Sequence, residues 1–176
     1  MSKLKDLRVL TTAAMLAAIA VVLGFYKIPI SNLIELRFQS FPIAISGALF
    51  GPVVGAIVGI ISDVGGYLVK PTGPFFPGFT LSSAMTGVIF GIFLKGRFQK
   101  WILLGRIAMA MTVNTIVTGI LLNTLWLSML YGNPFNVVLI TRLPKELIML
   151  PINTFFLFIL LIPIKRAVIR ILGDLT

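Results

Sequence analysis

YLVKPTGPFFPGFTLSSAMTGVIFG, Tyr67–Gly91, decides how the rest of the chain is read. The stretch leaves an apolar segment, breaks at Pro71, Gly73, Pro74, Pro77 and Gly78, and re-enters an apolar segment at Phe79. Prolines remove backbone donors and fix φ, and glycines permit conformations that other residues avoid, so no helix continues through the break. Yet Tyr67, Phe75, Phe76 and Phe79 make it too apolar for an ordinary solvated loop. Two readings fit. One is a lid over a pocket, with Pro74, Phe75, Phe76, Pro77 and Gly78 as its gating residues. The other is an interfacial loop whose rings lie among lipid headgroups.

Composition says what surrounds the break. Of 176 residues, 58% are hydrophobic and 11% charged, against about 25% charged in soluble domains. So few charges cannot cover a water-soluble fold, and the chain reads as one integral membrane domain over residues 1–176. It contains no histidine and no cysteine. Disulfides, thiolate nucleophiles, the usual zinc sites and dyads or triads using His or Cys are thereby excluded. No metal and no cofactor is expected. The net charge of +10 fits the positive-inside bias and anionic lipid. No basic stretch is interleaved with aromatics in a recognisable RNA- or DNA-binding module, so nucleic acid is not an expected partner. The first apolar run lacks a small-residue cleavage site and reads as a retained span.

A spanning helix needs about 17–25 largely apolar residues. Val9–Phe25 is the first candidate. Tyr26–Gln39 is polar and irregular, with Lys27, Glu35 and Arg37. Phe41–Phe50, opened by Pro42 and closed by the Gly51-Pro52 turn signal, is short for a span, so Phe38 and its neighbours are expected to extend it. Pro52–Val69 carries Gly55, Gly59, Gly65 and Gly66, which suit close helix packing, and Asp63, which must face protein or water. Phe79–Leu94 is the fourth span. Ile107–Trp126 is the fifth, with Arg106 snorkelling to the interface. After a turn at Gly132, Asn133 and Pro134, Arg142, Lys145 and Glu146 open a sixth span that ends near Ile164. The expected fold is an all-α membrane protein with six transmembrane helices.

Six spans put both termini on one side. That side receives Lys3, Lys5, Arg8, Lys95, Arg97, Lys100, Arg106, Lys165, Arg166 and Arg170; the other receives Lys27, Arg37, Lys70, Arg142 and Lys145. The asymmetry places both termini in the cytoplasm and the connections 26–39, 68–78 and 131–141 outside.

The polar residues gather in the outer halves of the spans: Arg37, Asp63, Tyr67, Thr80, Ser83, Asn123, Arg142, Lys145 and Glu146. A small bundle brings them around one outward cavity. Arg142 and Lys145 share a helix face and sit at a helix N-terminus, a place that favours a ligand carboxylate. Alternatively Arg142 pairs with Glu146 while Lys145 anchors the span end. Asp63 either accepts from a heterocycle or serves as a counter-ion to Arg37 or Arg142. Asn114 and Asn123 either read a ligand's edge or bridge helices; for the deeper Asn114, bridging is expected. In the first span Ala13 and Ala17, and likewise Ala14 and Ala18, lie four apart. They form either a contact face for another helix or a run of good helix formers. There is no phosphate-binding loop, since GIFLKG at Gly91–Gly96 lacks the Lys-Ser/Thr pair. Paired interrupted repeats, common in secondary transporters, are also missing. The chain reads as a capture subunit that needs a partner for its power.

These residues carry a family likeness. AAMLAA at Ala13–Ala18, the Ser40–Leu68 stretch with its Gly-Pro turn and aspartate, GPFFPGFTLSSAMTGVIFG, and Trp126–Thr154 with its LYGNPF segment resemble the S components of energy-coupling factor (ECF) transporters. The last two resemble the folate-specific branch. The resemblance implies a multi-pass subunit of a bacterial-type plasma membrane. It would bind a folate-type vitamin in an outward cavity closed by the first and third outer loops. It would then dock, through the Ala13, Ala14, Ala17 and Ala18 face, on a transmembrane coupling subunit that works with two ATPases. On that basis a pterin would stack on Tyr67, Phe79 or Trp126. Its edge would meet Asp63, Thr80, Ser83 or Asn123, and the glutamate carboxylates would meet Arg37, Arg142 or Lys145. The alternatives are an S component for another vitamin, such as pantothenate or a pterin-like compound, and a small membrane enzyme. The enzyme reading would rest on Asp63 and Glu146, whose basic neighbours favour ionised carboxylates over a raised-pKa acid. No enzymatic activity is expected.

Overall fold

The alanine-rich run of the first span has no breaker between Leu7 and Phe25, and those residues form α1. In the computed structural model the described residues are 6–25, 27–31, 34–71, 74–96 and 100–172. Lys3, Lys5, Tyr26, Gly73 and Arg97 lie outside them, as do the side chains of Lys27, Glu35, Arg37, Lys100 and Arg170. Val9, Ala13, Leu16, Ala17 and Ala20 form the buried stripe of α1. Ala14 and Ala18 point away from the bundle together with Met15 and Ile19. The four-alanine face expected from the sequence therefore splits. Ala13 and Ala17 pack within this chain, and only Ala14 and Ala18 remain on an outer surface.

The segment expected to be irregular is a β-hairpin. β1 (Lys27–Ser31) pairs antiparallel with β2 (Ile34–Arg37), with Lys27 opposite Arg37 and Pro29 opposite Glu35. K-I-P-I-S and I-E-L-R alternate with period two, and the proline in the first run obscured that pattern. α2 (Ser40–Phe50) then has only 11 residues, about 16 Å at ~1.5 Å per residue. Phe38 does not extend it; it lies in the turn before the helix. Every α2 residue from Phe41 to Phe50 is buried. A helix with no lipid-facing surface need not match the bilayer thickness, and α2 is the core of the molecule.

Gly51 turns the chain at φ +98°, and Pro52 occupies the first turn of α3 (Pro52–Val69). α4 (Pro77–Leu94) begins two residues before the expected Phe79, because Pro77 suits a first helical turn, where its missing N–H costs nothing. Pro77 and Gly78 therefore belong to the helix and not to the connection. α2, α3 and α4 meet through glycines. A Cβ on Gly47 would lie 2.6 Å from the Gly87 carbonyl, and one on Gly55 would lie 2.5 Å from the same oxygen. Gly59 meets the Ser83 carbonyl and Gly91 meets Pro52 in the same manner.

The second half is built from two long rods. α5 (Lys100–Asn114) continues without a break into a π-helical segment (Thr115–Leu122) and then into α6 (Asn123–Tyr131). The rod is thus longer than the Ile107–Trp126 span expected. Arg106 Nε donates to the Phe93 carbonyl at 2.5 Å. Lys165 donates to the carbonyls of Leu94 at 3.0 Å and Gly96 at 2.7 Å. Two cations thus satisfy the C-terminal carbonyls of α4, where the helix dipole is negative. Gly132, at φ +68°, ends α6. α7 runs from Phe135 to Leu172 with Pro144, Pro151 and Pro163 inside it. By length and composition α1, α3, α4, the rod Trp101–Tyr131 and Phe135–Val168 are each able to cross a membrane, and α2 is the shorter sixth helix.

Candidate functional site

A cavity of about 790 Å³ opens between α3, α4, the π-bearing rod and α7, with the ends of α1 and α2 at its margin. Its floor is apolar, with Phe41, Phe90, Met111 and Met149. Its walls carry Asp63, Ser82, Ser83, Thr86, Asn114, Thr118 and Asn123, and its charged side carries Lys70, Arg142, Lys145 and Glu146. Pro74, Phe75 and Phe76 of the connection also line it. The combination of an apolar base with a few polar groups, at a volume inside the ~300–1,000 Å³ range, is that of a small-molecule site.

Aromatic contacts fasten the connection. Phe75 meets Tyr67 with ring centroids 5.0 Å apart. Phe76 meets Phe79 at 6.0 Å and Trp126 at 5.6 Å. Gly78 makes the last contact possible, since a Cβ there would lie 2.5 Å from both Phe76 Cε1 and Trp126 Cδ2. Trp126 itself stands behind the wall and does not reach the cavity. Its Nε1 donates to Ser82 Oγ at 3.1 Å, and Ser82 faces the cavity.

The structure gathers Asp63, Tyr67, Phe79, Ser83, Asn123, Arg142 and Lys145 around the cavity. Thr80 acts one step back, donating to Asp63 Oδ2 at 2.7 Å and orienting that carboxylate. The side chain of Arg37 lies outside the described residues. Arg142, Lys145 and Glu146 are not at a helix N-terminus. α7 begins at Phe135, two turns earlier, and dipole effects fade within the first turn. Arg142 and Glu146 do pair, Nη2 to Oε1 at 3.3 Å across one turn. Gly119 leaves room for that pair, because a Cβ there would lie 2.9 Å from Glu146 Oε2. Asn114 accepts from Thr118 within its own rod, at 3.1 Å on its side-chain oxygen, instead of bridging helices.

The π-helical segment explains how one rod lines the cavity along so much of its length. Asn114 and Asn123 are nine residues apart, about 2.5 turns at ~3.6 residues per turn, which would set them on opposite faces of an α-helix. Bonds that close one residue later unwind the helix, and both asparagines face the cavity. Ser82, Thr86, Thr118, Gln39 and Asn153 also line it and were not singled out from the sequence. Thr118 and Thr86 each donate to a carbonyl four residues back, the usual habit of helical threonines, so nothing in the sequence set them apart.

The chain is 34% identical to the folate transporter FolT of Clostridium novyi (strain NT) over 155 residues, covering 88% of each. It is 36% identical to the riboflavin transporter RibU of Staphylococcus aureus (strain TCH60) over 145 residues, covering 79% of this chain and 75% of RibU. A crystal structure of FolT bound with folic acid superposes with a TM-score of 0.78 at 29% identity, covering 88% of this chain and 93% of that one. A structure of the S component of a bacterial ECF transporter superposes at 0.65 and 30% identity, covering 94% and 98%. The family model described as ECF transporter, substrate-specific component matches residues 8–161. A helical membrane bundle with one lined cavity, matched over nearly its whole length, this chain belongs to the substrate-specific components of ECF transporters.

Proposed function

We propose that this chain captures folate, or a reduced folate, in the cavity between α3, α4, the π-bearing rod and α7. The observation that carries the reading is the charge arrangement. Among the described residues, Lys70, Arg142 and Lys145 face the cavity together with Asp63 and Glu146, an excess of one cation in that set. Folate ends in two carboxylates, whereas riboflavin is uncharged, so the charged side suits the folate. Arg142 and Lys145 take the carboxylates through charge-assisted bonds. Tyr67 and Phe79 offer rings for the pterin to stack on, and Asp63, Ser83 and Asn123 meet its edge. Arg37 belongs to the hairpin strand β2, which precedes the cavity-lining residues Gln39 and Ser40. The segment Pro74–Phe76 closes over the ligand, and Pro77 and Gly78, in the first turn of α4, fix where it ends.

Both termini lie in the cytoplasm in this reading, and the cavity opens outward. The basic asymmetry of the sequence supports that orientation. It sharpens once Arg142 and Lys145 are counted as cavity residues and not as flanking charges. The chain performs no chemistry of its own. Through the outer alanines Ala14 and Ala18 it docks on a transmembrane coupling subunit, which works with two ATPases. Titration of the purified protein in detergent tests the ligand. Folic acid is expected to saturate at one equivalent while riboflavin does not bind. Saturation by riboflavin with no response to folic acid overturns the choice of ligand.

A further inference from the structure

Two asparagines flank the π-helical segment, and their side-chain oxygens differ in one respect. Asn114 Oδ1 accepts from Thr118 Oγ1 at 3.1 Å, and the same hydroxyl donates to the Asn114 backbone carbonyl at 2.7 Å. Asn123 Oδ1 is buried and accepts no hydrogen bond among the described residues. Buried acceptors are almost always satisfied, and leaving one unmet is costly. Asn123 lines the cavity, and because its Oδ1 is shielded from solvent, a turn of the amide about χ2 is what presents that oxygen to a ligand. A regular α-helix would turn it to the opposite face from Asn114, so the π-helical segment is what aims it inward. An eight-residue stretch of underwound helix sacrifices regular hydrogen bonding, and such segments are frequent at functional sites.

We propose that Asn123 is a specificity determinant whose Oδ1 accepts a hydrogen bond from an N–H of the bound ligand, and that the π-helical segment sets the register for that contact. This rests on the capture reading above. The ligand class it selects is a flat heterocycle that bears a ring N–H or an exocyclic amine. The apolar side of the same cavity, with Phe41, Phe79 and Phe90, suits the face of such a ring. A ligand whose edge carries only acceptors leaves Asn123 Oδ1 buried and unmet, and is rejected.

A double-mutant cycle between protein and ligand tests this. Wild type, Asn123→Leu and Asn123→Asp are each titrated with folic acid, its 2-desamino-2-methyl analogue and its N3-methyl analogue. The melting temperature of each variant serves as the folding control. Asn123→Leu is expected to weaken folic acid about tenfold or more. One of the two analogues is expected to lose a similar factor on wild type and nothing further on Asn123→Leu. Asn123→Asp keeps an acceptor and removes the amide donor, so it should hold folic acid within about threefold of wild type. Equal losses for both analogues on wild type and on Asn123→Leu overturn the proposal, as does an Asn123→Asp variant no better than Asn123→Leu. Should Asn123→Leu fail to fold, Asn123→Ala carries the same cycle. If wild type binds riboflavin and not folic acid, the folate reading fails by itself. The cycle then runs with riboflavin and N3-methylriboflavin, where coupling supports the role of Asn123 and its lack overturns it. Binding of neither vitamin overturns both proposals.

Discussion

Replacing Phe76 with alanine tests whether the segment before α4 gates the cavity. The Phe76 ring meets Trp126 at 5.6 Å and Phe79 at 6.0 Å. An aromatic pair contributes about 0.5–1.5 kcal/mol beyond its buried area, so lifting the ring from both partners costs about 1–3 kcal/mol. Both contacts are made between protein side chains. They therefore resist opening whether a ligand is leaving or arriving. Phe76→Ala should raise the release rate by about 5–150-fold, at a factor of ten per 1.4 kcal/mol. Where opening limits association, the association rate should rise by a similar factor and Kd should stay within about tenfold of its starting value. Stopped-flow fluorescence reads both rates. The chain has two tryptophans, and Trp101 is 85% exposed, so a Trp101→Phe background leaves Trp126 as the reporter beneath the ring in question. Phe76→Leu, which keeps apolar bulk without the ring pairs, should fall between the two. A release rate within threefold of the parent refutes gating by this ring. Faster release with unchanged association would mean instead that Phe76 holds the ligand directly.

Ala14→Trp should leave vitamin binding and melting temperature unchanged while abolishing transport by the assembled transporter. Ala17→Trp, at a position only 4% exposed, overpacks the bundle by about 1–3 kcal/mol or more and should lower the melting temperature; the reverse pattern would exchange the two faces of α1. Gly55→Ala should collapse the yield of folded protein, because its Cβ would lie 2.5 Å from the Gly87 carbonyl. Gly105→Ala, with nothing within 4 Å and outside the cavity lining, is the silent control. Arg142→Met strands the part-buried Glu146 beside the cavity and removes a charge-assisted bond to the ligand carboxylate, so it should weaken folic acid binding by about tenfold or more, at ~1.5–3 kcal/mol for a hydrogen bond to a charged group. The double variant Arg142→Met/Glu146→Gln should recover thermal stability but not affinity, and recovery of both would remove Arg142 from the ligand's carboxylates.

The break around Pro71–Gly78 and the six apolar segments were legible because prolines, glycines and hydropathy act locally. So was most of the polar set, since an ionisable or amide group inside a membrane has few places to face. The errors have physical causes. Trp126 looked like a stacking platform, but an indole N–H needs an acceptor, and Ser82 supplied one behind the wall. Arg142, Pro144, Lys145 and Glu146 resembled the start of a helix. Pro144 instead sits inside α7 on an exposed face. Ala13 and Ala17 could not be separated from Ala14 and Ala18 by spacing alone, because both pairs obey the same four-residue rule. The π-helical segment left one trace: Thr115, Ile116, Val117 and Thr118 followed by Gly119, five weak helix formers in succession. A strict 3.6-residue period cannot represent such a change of winding.

The glycine contacts among α2, α3 and α4 have a mechanical corollary. Backbones that touch through Gly47, Gly55, Gly59, Gly87 and Gly91 have no side chains between them to rearrange. Those three helices behave as a fixed jaw. The rod and α7 face it through longer side chains and prolines, and form the moving jaw. Apart from the gating segment Pro74–Phe76, any change in cavity shape as a vitamin enters or leaves must then be borne by residues 100–168. Amide hydrogen exchange should respond to ligand on that side while α2 through α4 stay silent.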